Sequence, residues 1–481
     1  MSSVPASGRR IGTGTGPGRT IDTWSPENPG FWSRTGESVA RRNLLISVPC
    51  LFLAFVVWQV WSATAVFLPQ LGFKFTSDQL FWLAAAPALS GATLRIFYSF
   101  MVPIAGGRRW TALSTASLII PAVGIGMAVQ DPTTQYSTFL LLALLCGLGG
   151  ANFSSSMANI SFFYPKAKKG AALGINAGLG NLGVSAVQFA VPLVVTTGLL
   201  GGIAGGAQMV AKNGVPTELF VQNAAFLWVP FIALCAVMAW FGMNDLASAK
   251  ASFREQAVVF KRKHNWLMCW LYIGTFGSFI GYAAGFPLLI KSQFPGVNPL
   301  TYAWIGPLVG ALIRPFGGWL SDKVGGATVT LWTFVAMAAG ALAVAGFLPG
   351  GYFSESFVGF FVSFLVLFAA SGIGNGSTFR MIPVIFMHGR MRAAEGKGRG
   401  EDAKAAREQA IIDGNKEAAA VLGFSGAIGA YGGFFIPKSY GTAIAMTGRP
   451  EAALFVFVLF YVTCMAITWW FYARRGAEVR C

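Results

Sequence analysis

Apolar stretches broken by short polar or glycine-containing turns run along most of the chain. They resolve into twelve segments of the length that crosses a bilayer as a helix, about 20 residues each. The limits fall at 44–69, 77–104, 110–129, 136–163, 171–199, 222–246, 265–290, 299–321, 328–349, 355–387, 415–441 and 451–473. An even number of spans puts both ends of the chain on one side. The loops set the orientation. Alternate loops carry Arg108 and Arg109, Lys166 to Lys169, Lys250 to Lys263, Lys323, and the basic stretch from Arg390 to Arg407; the opposite loops hold only Lys74, Lys212, Lys291, Lys438 and Arg449. Positive charge gathers on the cytoplasmic side of membrane proteins. The pattern therefore predicts a multi-pass protein with both termini cytoplasmic. It consists of a tail over 1–43, a six-helix half over 44–246, a linker over 247–264, a second six-helix half over 265–473 containing a loop at 388–414, and a tail over 474–481.

The two halves repeat each other in three places. Gly91 to Phe97, with Arg95 at its centre, matches Gly310 to Phe316 around Arg314, and a Gly-Gly pair follows eleven residues after each arginine. Gly174 to Gly183 lies over Gly423 to Gly432, and Gly150 to Phe153 over Gly376 to Phe379. Repeats of this kind mark transporters whose substrate site lies near the bilayer midplane between the repeats. The fold class is therefore an all-α polytopic membrane protein of two pseudo-symmetric halves.

Composition narrows the choice. Of 481 residues, 54% are hydrophobic and only 11% charged, which excludes a string of soluble domains. The net charge of +17 resides in the loops described, so it reads as topology and excludes a nucleic-acid surface. Cys50, Cys146, Cys235, Cys269 and Cys464 fall in apolar runs, and no CxxC pair suggests a disulfide framework or zinc site. No cofactor or metal is expected. The polar, basic first 43 residues do not resemble a secretory signal.

The candidate chemistry begins with the two arginines. A guanidinium at membrane depth costs from about 2.5 to over 10 kcal/mol, and Asp and Glu residues lie in loops, tails or helix ends rather than beside it. Two such cations at matching depth call for an anion, and their planar forks of N–H donors suit small planar oxyanions or carboxylates. Arg380 is a third arginine, nearer the cytoplasmic end of its span. Phe55, Phe153, Tyr272, Phe276 and Phe379 lie at similar depth as walls, and Tyr272 also offers a hydroxyl. The glycines of spans five and eleven let helices approach closely, and Asn176, Asn181 and Ser425 interrupt those smooth surfaces with polar groups. His264 and His388 sit at loop edges. No catalytic triad or phosphate loop stands out, so no enzyme is predicted. Carboxylates at the membrane centre, the usual proton relays, are missing.

Gly317 to Gly326 resembles the loop motif of the major facilitator superfamily, although the equivalent first-half loop lacks the usual Asp. Ala151 to Pro165, Asn176 to Gly183 and Gly426 to Gly433 resemble the signature stretches of the bacterial NarK-type nitrate/nitrite porters, and the resemblance runs from Asp22 to the last span. It implies a major facilitator fold, a place in the bacterial inner membrane and transport of nitrate and nitrite by a monomer. Arg95 and Arg314 match that family's substrate arginines, and Phe55, Phe153, Asn176, Asn181, Tyr272, Phe276 and Ser425 match its pocket positions. Arg380 stands where an uncharged polar residue is expected. The mechanism expected is exchange of nitrate for nitrite by alternating access. At ~6 Å and an effective dielectric of ~20, two bare arginines repel by about 3 kcal/mol. An anion between them removes that repulsion, so closure is favoured only when the site is filled. The alternatives are proton-coupled nitrate uptake, an organic-phosphate exchanger and a transporter-like nitrate sensor.

Overall fold

The computed structural model describes residues 16–212, 215–249, 257–395 and 401–481. Eleven helices in it are long and apolar enough to cross a membrane. The first half contributes Pro29–Thr64, Ser77–Tyr98, Gly107–Ala128, Tyr136–Phe163, Lys166–Val195 and Asn223–Gly242, here spans 1 to 6. The second contributes Lys263–Gln293 (span 7), Gly326–Phe347 (span 9), Phe357–Ala394 (span 10), Asp402–Thr447 (span 11) and Glu451–Ala473 (span 12). The twelfth helix is Ile305–Val324, span 8, which holds Arg314, Asp322 and Lys323. The polar atoms of those side chains are why a hydropathy threshold passes it over.

Most helix ends lie near where the apolar pattern places them; span 2 stops at Tyr98 instead of 104 and span 8 starts at Ile305 instead of 299, and other ends run long. Helices continue past the bilayer into polar sequence, where hydropathy is silent. Span 1 starts at Pro29 rather than 44. Asn28 caps it, its side chain accepting from the Phe31 N–H at 3.1 Å, with proline at the first helical position. Spans 10 and 11 likewise extend into the loop predicted at 388–414, whose described part is mainly helical.

The segment before span 1 is tied to the stretch just after span 6. Thr20–Ile21 pairs in parallel with Asp245–Leu246, and Trp24 donates to the Phe163 carbonyl at 3.2 Å while packing edge-on against the Phe163 ring. Asp245 also supplies what the first-half loop motif lacks. Its carboxylate accepts from the Arg108 backbone N–H at 2.8 Å and from Arg108 Nε at 3.1 Å, at the start of span 3.

The halves touch at the midplane and at the face opposite the described chain ends, called here the far face. Gln188 of span 5 donates to the Ala283 carbonyl of span 7 at 2.7 Å, Phe189 packs on Trp304, and Lys438 of span 11 pairs with Asp78 of span 2. Gly432 lets span 11 lie against span 7: a Cβ there would sit 2.5 Å from the Gly277 Cα. Toward the near face Gly170, Gly174, Gly178 and Gly423 have open space beside them.

Candidate anion site between the halves

Arg95 is fully buried on span 2. Its Nε donates to the Gly150 carbonyl of span 4 and its Nη1 to the Gly426 carbonyl of span 11, both at 2.7 Å. The second bond crosses between the halves. Its charge is further spread over three aromatic faces, with the guanidinium carbon 4.9 Å from Trp58, 4.8 Å from Phe153 and 5.2 Å from Phe276. The third nitrogen, Nη2, is buried and has no partner. Gly150 makes this possible, because a Cβ there would lie 2.5 Å from the Trp58 indole.

Arg314 on span 8 is half-buried. It stands 5.6 Å from the Phe379 ring, and its Nη1 too is buried and unpartnered. Tyr272, buried on span 7, interacts electrostatically with both arginines. The site thus offers one bare guanidinium nitrogen from each half, with the Tyr272 phenol in electrostatic reach of both arginines. An unpaired buried donor costs roughly 1–3 kcal/mol, more when charged, so the arrangement favours an acceptor-only, negatively charged ligand.

The walls come from both halves. Phe153 of span 4 stacks on Phe276 of span 7, centroids 6.2 Å apart and planes inclined by 25°. Phe55 meets Phe153 edge-on, and Tyr272 leans on Phe276 at 5.5 Å. Span 7 relaxes into a wider π turn at Ile273–Gly277, which contains Phe276 and directly follows Tyr272; such turns recur at functional sites.

Arg95, Phe55, Phe153, Tyr272 and Phe276 therefore converge, with Arg314 beside Tyr272. Of the polar candidates, two are engaged with other side chains. Asn176 donates to Ser156 Oγ at 2.8 Å, which itself bonds Ser47. Ser425 meets the Cys269 thiol at 3.6 Å. Asn181 is buried with an unpartnered Oδ1. Arg380 is engaged elsewhere: its Nη2 lies 2.6 Å from each Asp322 oxygen. Sequence reading overlooked Trp58 and the Gly426 carbonyl. Trp58 carries a signal, being three residues beyond Phe55 on the same helical face; a backbone carbonyl carries none.

A two-halved membrane helix bundle with a buried arginine among aromatic rings from both halves has the architecture of a carrier, and comparison with known proteins places it. Residues 50–394 match the Major Facilitator Superfamily. Nitrate/nitrite transporter NarU of Salmonella typhimurium is 52% identical over 459 residues, covering 95% of this chain and 96% of that protein. Probable nitrate/nitrite antiporter NarK2 of Thermus thermophilus is 40% identical over 469 residues, covering 96% and 99%. Among solved structures, a D-xylose–proton symporter superposes with a TM-score of 0.61 at 13% identity, covering 92% of this chain and 98% of that one. That likeness speaks for the fold alone. The chain belongs to the NarK-type nitrate/nitrite porter family of the major facilitator superfamily.

Proposed function

We propose that the protein is a monomeric nitrate/nitrite antiporter of the bacterial inner membrane, with both termini cytoplasmic and one anion held between Arg95 and Arg314. It binds no nucleic acid and catalyses no reaction. The observation that carries the reading is the pair of buried, unpartnered guanidinium nitrogens, one from each half. The names of the 52% and 40% identical relatives support the substrates and the exchange. Nitrate and nitrite are planar and accept hydrogen bonds without donating them, which suits arginine donors flanked by the Phe153 and Phe276 rings. Both buried carboxylates among the described residues, Asp245 and Glu417, are paired with arginines at helix ends, and neither serves as a midplane proton carrier.

Exchange follows from the charge balance. With the site empty, Arg95 keeps two carbonyls and three rings but retains a bare donor. Bringing Arg314 closer without an anion would set two cations against each other. Reorientation of the halves 44–246 and 265–473 is then favoured only with substrate bound. Purified protein in liposomes should take up nitrate when nitrite is enclosed, without a proton gradient. Uptake that ignores internal nitrite and follows the proton gradient would replace exchange with symport.

A further inference from the structure

The ion pair between Asp78 and Lys438 is not used by the site just described. Asp78 stands in the first turn of span 2. The Lys438 ammonium lies 2.6 Å from its Oδ1, donates to Thr442 Oγ1 at 2.8 Å and sits 5.2 Å from the Trp82 ring centre. Among the ion pairs of the described residues, it is the one that joins a span of the first half to a span of the second. The two side chains keep 28% and 23% of their exposure, so water reaches the pair from the far face. Gly441 builds the contact, since a Cβ there would lie 2.8 Å from Phe81 Cβ and 2.9 Å from Asp78 Oδ1.

The far-face closure is electrically lopsided. On the opposite seam the halves meet through neutral groups, Gln188 on the Ala283 carbonyl and Phe189 on Trp304. Parting the halves there uncovers no charge. Parting them at span 2 leaves Asp78 at a helix N-terminus, where a carboxylate is stabilised by the helix dipole. Lys438 moves away with span 11 and keeps only the Thr442 hydroxyl. It becomes an uncompensated cation at the far-face mouth, on the same helix as the Gly426 carbonyl that holds Arg95.

We infer that Lys438 draws the anionic substrate into the far-face mouth, and that Asp78 masks it whenever that face is closed. The inference rests on the anion-transport reading. A charge at a rim acts mainly on the association rate and its salt dependence. Lys438 should therefore govern apparent affinity from the far face and leave the near face alone.

The test is nitrate–nitrite counterflow in liposomes of uniform protein orientation, with KM measured from each face at low and high ionic strength. Lys438→Gln should raise the far-face KM about 3–10-fold at low salt. The difference should shrink at high salt, where charges are screened within a few ångströms, and the near-face KM should not change. Lys438→Arg should restore the far-face value, and Asp78→Asn, which removes both the ion pair that closes the far face and a repelling carboxylate at its mouth, should lower it. A Lys438→Gln variant with normal far-face KM and salt response, or with KM raised equally on both faces, would overturn the inference. Should that variant fail to fold, Asp78→Asn decides, and an unchanged far-face KM counts against the proposal. Wild-type protein that moves neither anion sinks the transport reading and the inference with it; active wild type beside an unaffected Lys438→Gln sinks the inference alone.

Discussion

Arg95 shows how one residue serves both fold and function. Two of its nitrogens are spent on Gly150 and Gly426, and the third is buried without a partner. Lysine keeps the charge but has no fork to satisfy two carbonyls and a ligand together. Arg95→Lys and Arg314→Lys should each lower kcat/KM for nitrate by about 10–100-fold, the worth of one charged hydrogen bond, in initial-rate counterflow. Gly150→Ala tests the support behind the arginine. Its methyl would overlap Trp58, so overpacking should cost about 1–3 kcal/mol, lower the thermal midpoint and weaken the protection given by nitrate. At this scale the arginines were legible because a guanidinium in an apolar run is too costly to be incidental. Trp58 was not, because a tryptophan in such a run looks like any other lipid- or core-facing ring. Arg380 shows the reverse: the sequence left its role open, because its pairing with Asp322 depends on two spans meeting.

At the scale of elements, polar sequence conceals structure that the apolar pattern cannot register. The segment before residue 44 reads as a tail, but from Thr20 onward it is strand and helix folded against the near face. Its anchor is the stretch after span 6. There Asp245, its side chain 8% exposed, accepts from Arg108, whose own side chain is 11% exposed. Removing one partner of a buried pair strands the other charge, at about 3–5 kcal/mol. Asp245→Ala should lower the thermal midpoint markedly and loosen Thr20–Ile21, read as faster amide exchange, and the KM for nitrate should stay near wild type in the protein that remains folded. The π turn at Ile273–Gly277 is the other element beyond sequence reading. No residue type marks it, because packing against Gly429 and Gly432 of span 11 is part of what holds it.

At the scale of the whole molecule, the halves meet at the far face through Gln188, Lys438 and Phe189, the contacts that the proposed exchange would have to open. The expected nitrite-dependent uptake belongs here, since it depends on both halves moving around one anion. The number of spans and the placing of Arg95 and Arg314 inside helices were readable along the chain. Each rests on a local cost, namely the burial of backbone and charge in hydrocarbon, which the residues themselves carry. Which donors remain bare, which ring lies under which guanidinium and which lysine meets an aspartate 360 residues away were settled by packing. Those facts concern pairs distant in sequence, and no local cost specifies a partner until the helices have met.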